Sequence, residues 1–128
     1  MILRLNKKLL DVLSHPVDGA VSIVTNGDAG PHLVNTWNNY IVVTPDDKLL
    51  IPVSGFNKAE KNLSVHNHVL LSIASREIVG YKAKGTGFIV KGTTRFIKSG
   101  DDFDHMKEQF SWIRAVLEIT VTTATQML

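Results

Sequence analysis

The 128 residues contain no cysteine, which excludes disulfides, thiolate metal sites and cysteine nucleophiles outright. A reducing cytoplasm is the compartment this composition suits, and we expect a cytoplasmic protein. No apolar run approaches the roughly 18 residues that a membrane span requires. The start, MILRLNKKLLDVL, interrupts its apolar residues with charge and lacks a signal-peptide pattern. Basic stripes are missing as well: the net charge is only +2, and Lys7-Lys8 is the one adjacent basic pair. Neither nucleic acid nor membrane is therefore an expected partner. There is no nucleophile elbow, no internal repeat and no low-complexity tract.

What is present is a folding chain. Hydrophobic content of 44% and charge of 20% are globular values, and the length suits one domain, residues 1–128, with a real core. Asn6 is placed to cap a short helix through about Ser14 that Pro16 ends. Residues 20–25 (AVSIVT) read as a strand covered on both sides, and Asn26-Gly27 with Gly30-Pro31 as a loop. A strand follows over 32–43, then a turn at Pro45-Asp46-Asp47 and a short strand over 49–53 that Pro52 ends or confines to an edge. Asn57 with Glu60 resembles a capping box, which starts a helix at Lys58 running to about Val65. Strands are expected over 69–75, 88–97 and from 114 onward, a glycine-rich loop over 80–87, and a helix capped by Ser99 or Asp101. The resulting order has few parallel-sheet signals. It fits an α+β, mainly β chain built as a small antiparallel barrel with short peripheral helices.

One stretch resists a purely structural explanation. HLVNTWNNY (32–40) has the length and flanks of a strand, yet it carries three asparagines in five positions beside Trp37 and Tyr40. Asparagine competes for backbone partners and is usually avoided in strand interiors. A surface built to hydrogen-bond and stack on a planar ligand would explain it; a core Trp37 with solvated asparagines is the plainer alternative. Alternation puts Asn35 and Trp37 on one face, and Thr36, Asn38 and Tyr40 on the other. A second candidate is SGFNKAEKN (54–62), a loop entering a helix N-terminus with a hydroxyl, a glycine and Lys58. Free amides and the helix dipole make such a place a phosphate cradle, although it is not a Walker loop and an ordinary capped surface helix would look the same. His66 and His68 share a face only on a strand, and no carboxylate lies at metal-ligand spacing. Asp46-Asp47 and Asp101-Asp102 read as turn and cap residues.

GPHLVNTWNNY (30–40), IPVSGFNKAEKN (51–62), GTGF (85–88) and WIRAVLEITVTTATQML (112–128) together closely resemble the small FMN-binding proteins of sulfate-reducing bacteria. These belong to the pyridoxamine-phosphate-oxidase-like split-barrel flavoproteins, and the resemblance runs essentially end to end. It implies a split β-barrel that holds one FMN per chain non-covalently and works as a homodimer with an unknown redox partner. It also implies that Asn35, Thr36 and Trp37 line the isoalloxazine, with Tyr40 and Trp112 close to the ring. Lys58 would hold the phosphate, and Leu128 would reach the flavin of the partner subunit. Pro52, Val53, Ser54, Gly55 and Ala59 complete the expected cofactor-binding set, the backbone amides of 35–37 and 53–55 meeting the ring edges.

One departure touches that site. Ala59 stands where the relatives carry threonine, which removes a hydroxyl worth about 1–2 kcal/mol if bonded to a phosphate; Ser54, Asn57 or a backbone N–H is expected to compensate. If Tyr40 and Trp37 both approach one ring, a bulge or turn near Asn38-Asn39 is needed. The role implied is that of an electron carrier, with no metal and no dedicated catalytic residue. Two alternatives stand beside it: a flavin-dependent oxidase or reductase acting on a small substrate, and a module binding another planar ligand such as haem, with His32 at the strand start.

Overall fold

The computed structural model describes residues 5–128; the first four residues of the charged N-terminal stretch lie outside them. Helix α1 spans Lys7–Ser14. The Asn6 side chain caps it by accepting from the amides of Lys8 (2.7 Å) and Leu9 (3.3 Å), and Leu9, Val12 and Leu13 bury its apolar side. The strands are β1 (Ala20–Gly27), β2 (Gly30–Trp37), β3 (Val42–Val43), β4 (Lys48–Val53), β5 (His68–Val79), β6 (Lys84–Ile97) and β7 (Ala115–Gln126). Helix α2 (Asn57–Val65) lies between β4 and β5, and α3 (Asp101–Gln109) between β6 and β7.

All seven strands form one antiparallel sheet in the order β2-β1-β5-β6-β7-β4-β3. Its two outer strands, β2 and β3, are consecutive in the chain and separated only by residues 38–41. The five Cα–Cα steps from Trp37 to Val42 reach at most about 18 Å, so the sheet has to curl until its edges meet at that corner. The result is a barrel left open along the rest of those edges. Helix α2 packs on β1 and β2 after leaving β4, so it bridges the opening. The buried Asn62 side chain ties it down, donating to Thr25 Oγ1 on β1 at 3.1 Å. Gly27 permits that approach, since a Cβ there would lie 2.6 Å from Asn62 Oδ1.

Ile23, Leu49, Ile51, Leu71, Ile73, Phe88, Val90, Leu117 and Ile119 fill the interior. A second apolar cluster of Leu50, Met106, Phe110, Ile113 and Val116 seats α3 on the outer face. With both faces covered, five successive residues of β7, Ala115 to Ile119, are buried. Glu118 is among them; it points outward as alternation requires, but Arg95 (3.3 Å) and Lys48 (3.8 Å) close over it.

Four local expectations are corrected. The strand expected over 32–43 stops at Trp37, and a 3-10 turn over Asn38–Tyr40 separates it from β3. The glycine-rich stretch 80–87 is mostly strand: β6 begins at Lys84, pairing Val79 with Lys84 and Ser75 with Thr86 around a register shift, so the loop is only 80–83. Pairing of a long hairpin has overridden the local cost of glycine. Asn57 does not cap α2. That position falls to Phe56, in the left-handed conformation (φ 62°) and without a side-chain cap bond. Helix α3 is likewise preceded by Gly100 (φ 100°), not by Ser99 or Asp101 acting as a cap; Asp101, Asp102 and Asp104 sit in its first turn, where the dipole favours them. Pro52 behaves as expected: it pairs with Val116 of β7, while β3 reaches only Leu49 and Leu50 on its other side.

Candidate functional site

On β2 the alternation holds as far as the strand does. Thr36 is buried, whereas Asn35 and Trp37 face outward. Asn35 Oδ1 accepts from Ser22 Oγ at 3.1 Å, and Trp37 leaves 47% of its surface exposed at the strand end. An indole half bared at the end of an edge strand is available for stacking. The two asparagines that follow serve the fold instead. Asn38 is buried; its Oδ1 accepts from the Gly19 amide and its Nδ2 donates to the Val12 carbonyl at 3.0 Å. Asn39 donates its backbone amide to Asp18 Oδ1 at 3.2 Å and its side-chain Nδ2 to the Pro16 carbonyl at 3.5 Å. The dense asparagine run that suggested ligand contacts is thus in good part an internal staple holding the 3-10 turn to the α1–β1 connection.

That turn redirects the chain toward α3. Tyr40 packs on Phe110 and Trp112, with ring centroids at 5.3 and 5.7 Å, and those two rings are 5.8 Å apart. Trp112 remains 47% exposed at the edge of this cluster. Tyr40 and Trp112, 72 positions apart in the chain, are therefore in ring contact. Between Trp37 and Tyr40 the chain makes a 3-10 turn, not a bulge.

The loop between β4 and α2 is built around a residue the sequence did not single out. Arg114 Nε donates to the carbonyls of Ser54 and Gly55 at 3.0 Å each, and its Nη2 donates to Gly55 at 2.7 Å. Its Nη1 donates to Glu60 at 2.7 Å, and its amide to the Val53 carbonyl at 2.8 Å. Lys98 meets the second Glu60 oxygen at 2.8 Å. Lys98, then Arg114, hold the Glu60 carboxyl below its ordinary range against the opposing effect of burial. Glu60, read as half of a capping box, is half of this clamp instead. Spacing in one dimension carries no sign of a pairing across 54 residues.

With the loop carbonyls turned to Arg114, the first turn of α2 is left bare. Its first helical bond is Glu60 N–H to Phe56 C=O at 2.8 Å, and the amides of Asn57, Lys58 and Ala59 find no acceptor among the described residues. A Cβ on Gly55 would meet nothing within 4 Å, so the approach is open. Lys58 and Lys61 line a 450 Å³ cavity here with Asn57, Asn62, Ala29 and Asp28, and neither lysine forms an ion pair among the described residues. Ala59 is buried, so only its amide is available to a ligand. Pro52 and Val53 are buried too, which limits them to wall and backbone roles.

Leu128 lies elsewhere. Thr86 Oγ1 and Gln126 Nε2 bond its carbonyl at 2.7 and 2.8 Å. Met127 and Leu128 keep their side chains 58% and 63% exposed. They rim the 590 Å³ cleft under the β5–β6 hairpin, with Arg76, Tyr81 and Lys82. Within one chain Leu128 does not join Trp37 or Lys58. His66 and His68 are exposed at the end of α2 and the start of β5, and no group of three metal-ligating side chains occurs among the described residues.

No family model matches the chain. A curated protein, the FMN-binding protein of Nitratidesulfovibrio vulgaris, is 41% identical over 111 residues, covering 87% of this chain and 90% of that one. The chain belongs to that FMN-binding protein family. Solved structures share the family's split-barrel architecture at much lower identity. HupZ of Group A Streptococcus superposes with a TM-score of 0.76 at 13% identity, over 96% of this chain and 94% of its own. An FMN-binding protein from Syntrophomonas wolfei gives 0.72 at 12%, over 95% and 85%. A Lactobacillus delbrueckii protein assigned as a pyridoxamine 5′-phosphate oxidase gives 0.73 at 14%, over 95% and 93%.

Proposed function

We propose that this chain is an FMN-binding redox protein that carries electrons, with the phosphate at the start of α2 and the ring toward Trp37 and the Tyr40–Trp112 pair. The observation that carries this reading is the bare first turn of α2 in a chain whose 41%-identical relative is an FMN-binding protein. The donor set fits the group. Three amides and a Lys58 ammonium without partners among the described residues, with the Ser54 hydroxyl, are all donors or cations, as a phosphate dianion requires. Among the described residues, Asp28 is the one carboxylate lining the cavity, beside two lysines. The amides of Asn57 and Ala59 and the Ser54 hydroxyl supply what the missing threonine hydroxyl at 59 would have given.

Bound FMN supplies one- and two-electron exchange. The protein's residues set where it sits and how dry its surroundings are. Trp37 offers an indole face for stacking, Thr36 turns its side chain into the barrel, and the backbone of 35–37 presents the strand edge that can meet a polar ring edge. The aromatic cluster around Trp112 keeps water from one side. We read the chain as a single domain acting in the cytoplasm as a homodimer, its exposed Met127 and Leu128 packing on a second copy; no helix among the described residues is long and apolar enough to cross a membrane.

Titration of flavin-free protein with FMN and with riboflavin tests the reading. Near-stoichiometric FMN uptake, with clearly weaker riboflavin uptake, is expected; failure to take up FMN refutes it. Slow, unspecific reoxidation of the reduced protein supports a carrier, and fast reoxidation by one small substrate would make it an oxidase or reductase.

A further inference from the structure

The clamp on the entry loop of α2 has a consequence for ligand binding. Four side-chain bonds from one guanidinium fix the carbonyls of Ser54 and Gly55 and the carboxylate of Glu60. Peptide groups have two ends: fixing the carbonyls of Ser54 and Gly55 also fixes the directions of the Gly55 and Phe56 N–H groups, which lie in the same two planes. This is the segment in which Phe56 takes its left-handed conformation and α2 begins. The guanidinium is planar and can satisfy these acceptors together, which an ammonium cannot. Its charge is already answered by Glu60, itself shared with Lys98. Arg114 is therefore poorly suited to attract an anion directly and well suited to hold the loop that does.

We propose that Arg114 is a positioning residue for the FMN phosphate. It acts through the Ser54–Gly55 carbonyls and Glu60, and it touches neither phosphate nor ring. The proposal rests on the phosphate site assigned above. It adds that the site's preference for a phosphorylated flavin depends on the fork geometry of Arg114 as well as on the charge of Lys58.

The test compares FMN and riboflavin affinities, by flavin fluorescence titration, in the native protein and in Arg114→Lys and Arg114→Gln. Far-ultraviolet circular dichroism checks that each variant is folded. Riboflavin lacks the phosphate, so a change confined to FMN reports the α2 site and not general loosening. Both variants are expected to bind FMN about tenfold more weakly, the equivalent of one or two lost charge-assisted hydrogen bonds, with riboflavin affinity unchanged. Three results would overturn the proposal. Arg114→Lys retaining native FMN affinity would mean that charge alone matters. A parallel loss for both flavins would mean a purely structural role, and no loss for either would mean no role. If Arg114→Gln does not fold, Arg114→Lys decides. A native protein that binds both flavins equally would remove the phosphate site itself, and that is seen before any variant is made.

Discussion

Replacing Asn38 with alanine is the sharpest probe of how the candidate site is held. The side chain is buried and makes two hydrogen bonds, from the Gly19 amide to its Oδ1 and from its Nδ2 to the Val12 carbonyl. Neither partner is orphaned by the change: Gly19 N–H also meets Asp18 Oδ1 at 3.1 Å, and the Val12 carbonyl also accepts from His15 N–H at 3.4 Å. The cost is then that of two net hydrogen bonds, about 2 kcal/mol together, without the larger penalty of bare buried groups. For a domain of this size that lowers the unfolding temperature by roughly 8 °C. Asn39 is exposed and its contacts are longer, so Asn39→Ala should cost no more than about 0.5 kcal/mol. Urea unfolding of both variants, followed by circular dichroism, measures the difference. Because Asn38 sets the turn that delivers Tyr40 to Phe110 and Trp112, its replacement should also weaken FMN binding when Asn39→Ala does not. Equal stability of the two variants would refute the assignment of the asparagine run to an internal staple.

Other consequences follow from the same geometry. Lys58→Ala should weaken FMN binding about tenfold while sparing riboflavin, and the native preference for FMN should shrink as salt is raised, because the site is open to solvent. Glu60 has its pKa lowered in the folded protein, by Lys98 first and Arg114 next. Its contribution to stability is therefore complete above the ordinary value of 4.5 and is lost as pH falls through the depressed folded value. Melting curves from about pH 6 to about pH 3 should fall less steeply for Glu60→Gln than for the native protein; parallel curves would contradict this. Gly27→Ala should cost about 1–3 kcal/mol, since the new Cβ drives Asn62 off Thr25. Leu128→Asp should shift the mass in solution toward the monomer, as seen by light scattering; an unchanged mass would remove the C-terminal side chains from the dimer contact.

Much of the architecture was legible because periodicity and punctuation agreed. The Asn6 cap and the edge position of Pro52 follow from local physics, whereas β1, read as covered on both sides, buries only alternate residues. The errors share a cause, which is partner choice at a distance. Asn57 and Glu60 have capping-box spacing, but Arg114 and Lys98 claim Glu60, and Phe56 takes the cap position. The glycines of 80–87 look like a loop, yet cross-strand pairing draws three of the four residues from Lys84 to Gly87 directly against β5. At the candidate site, the HLVNTWNNY run mixes two roles. Trp37 is bared there, but Asn38 and Asn39 are spent on the fold. Arg114 was invisible because its partners lie 54 to 60 residues away in the chain. The ring contact between Tyr40 and Trp112 could not be read from their positions in the chain.

The central claim is that the start of α2 receives a flavin phosphate, and the FMN-to-riboflavin affinity ratio of the flavin-free native protein measures it most directly. The account predicts a strong preference for FMN that falls in Lys58→Ala. Equal affinities for the two flavins, or binding of neither, would contradict it.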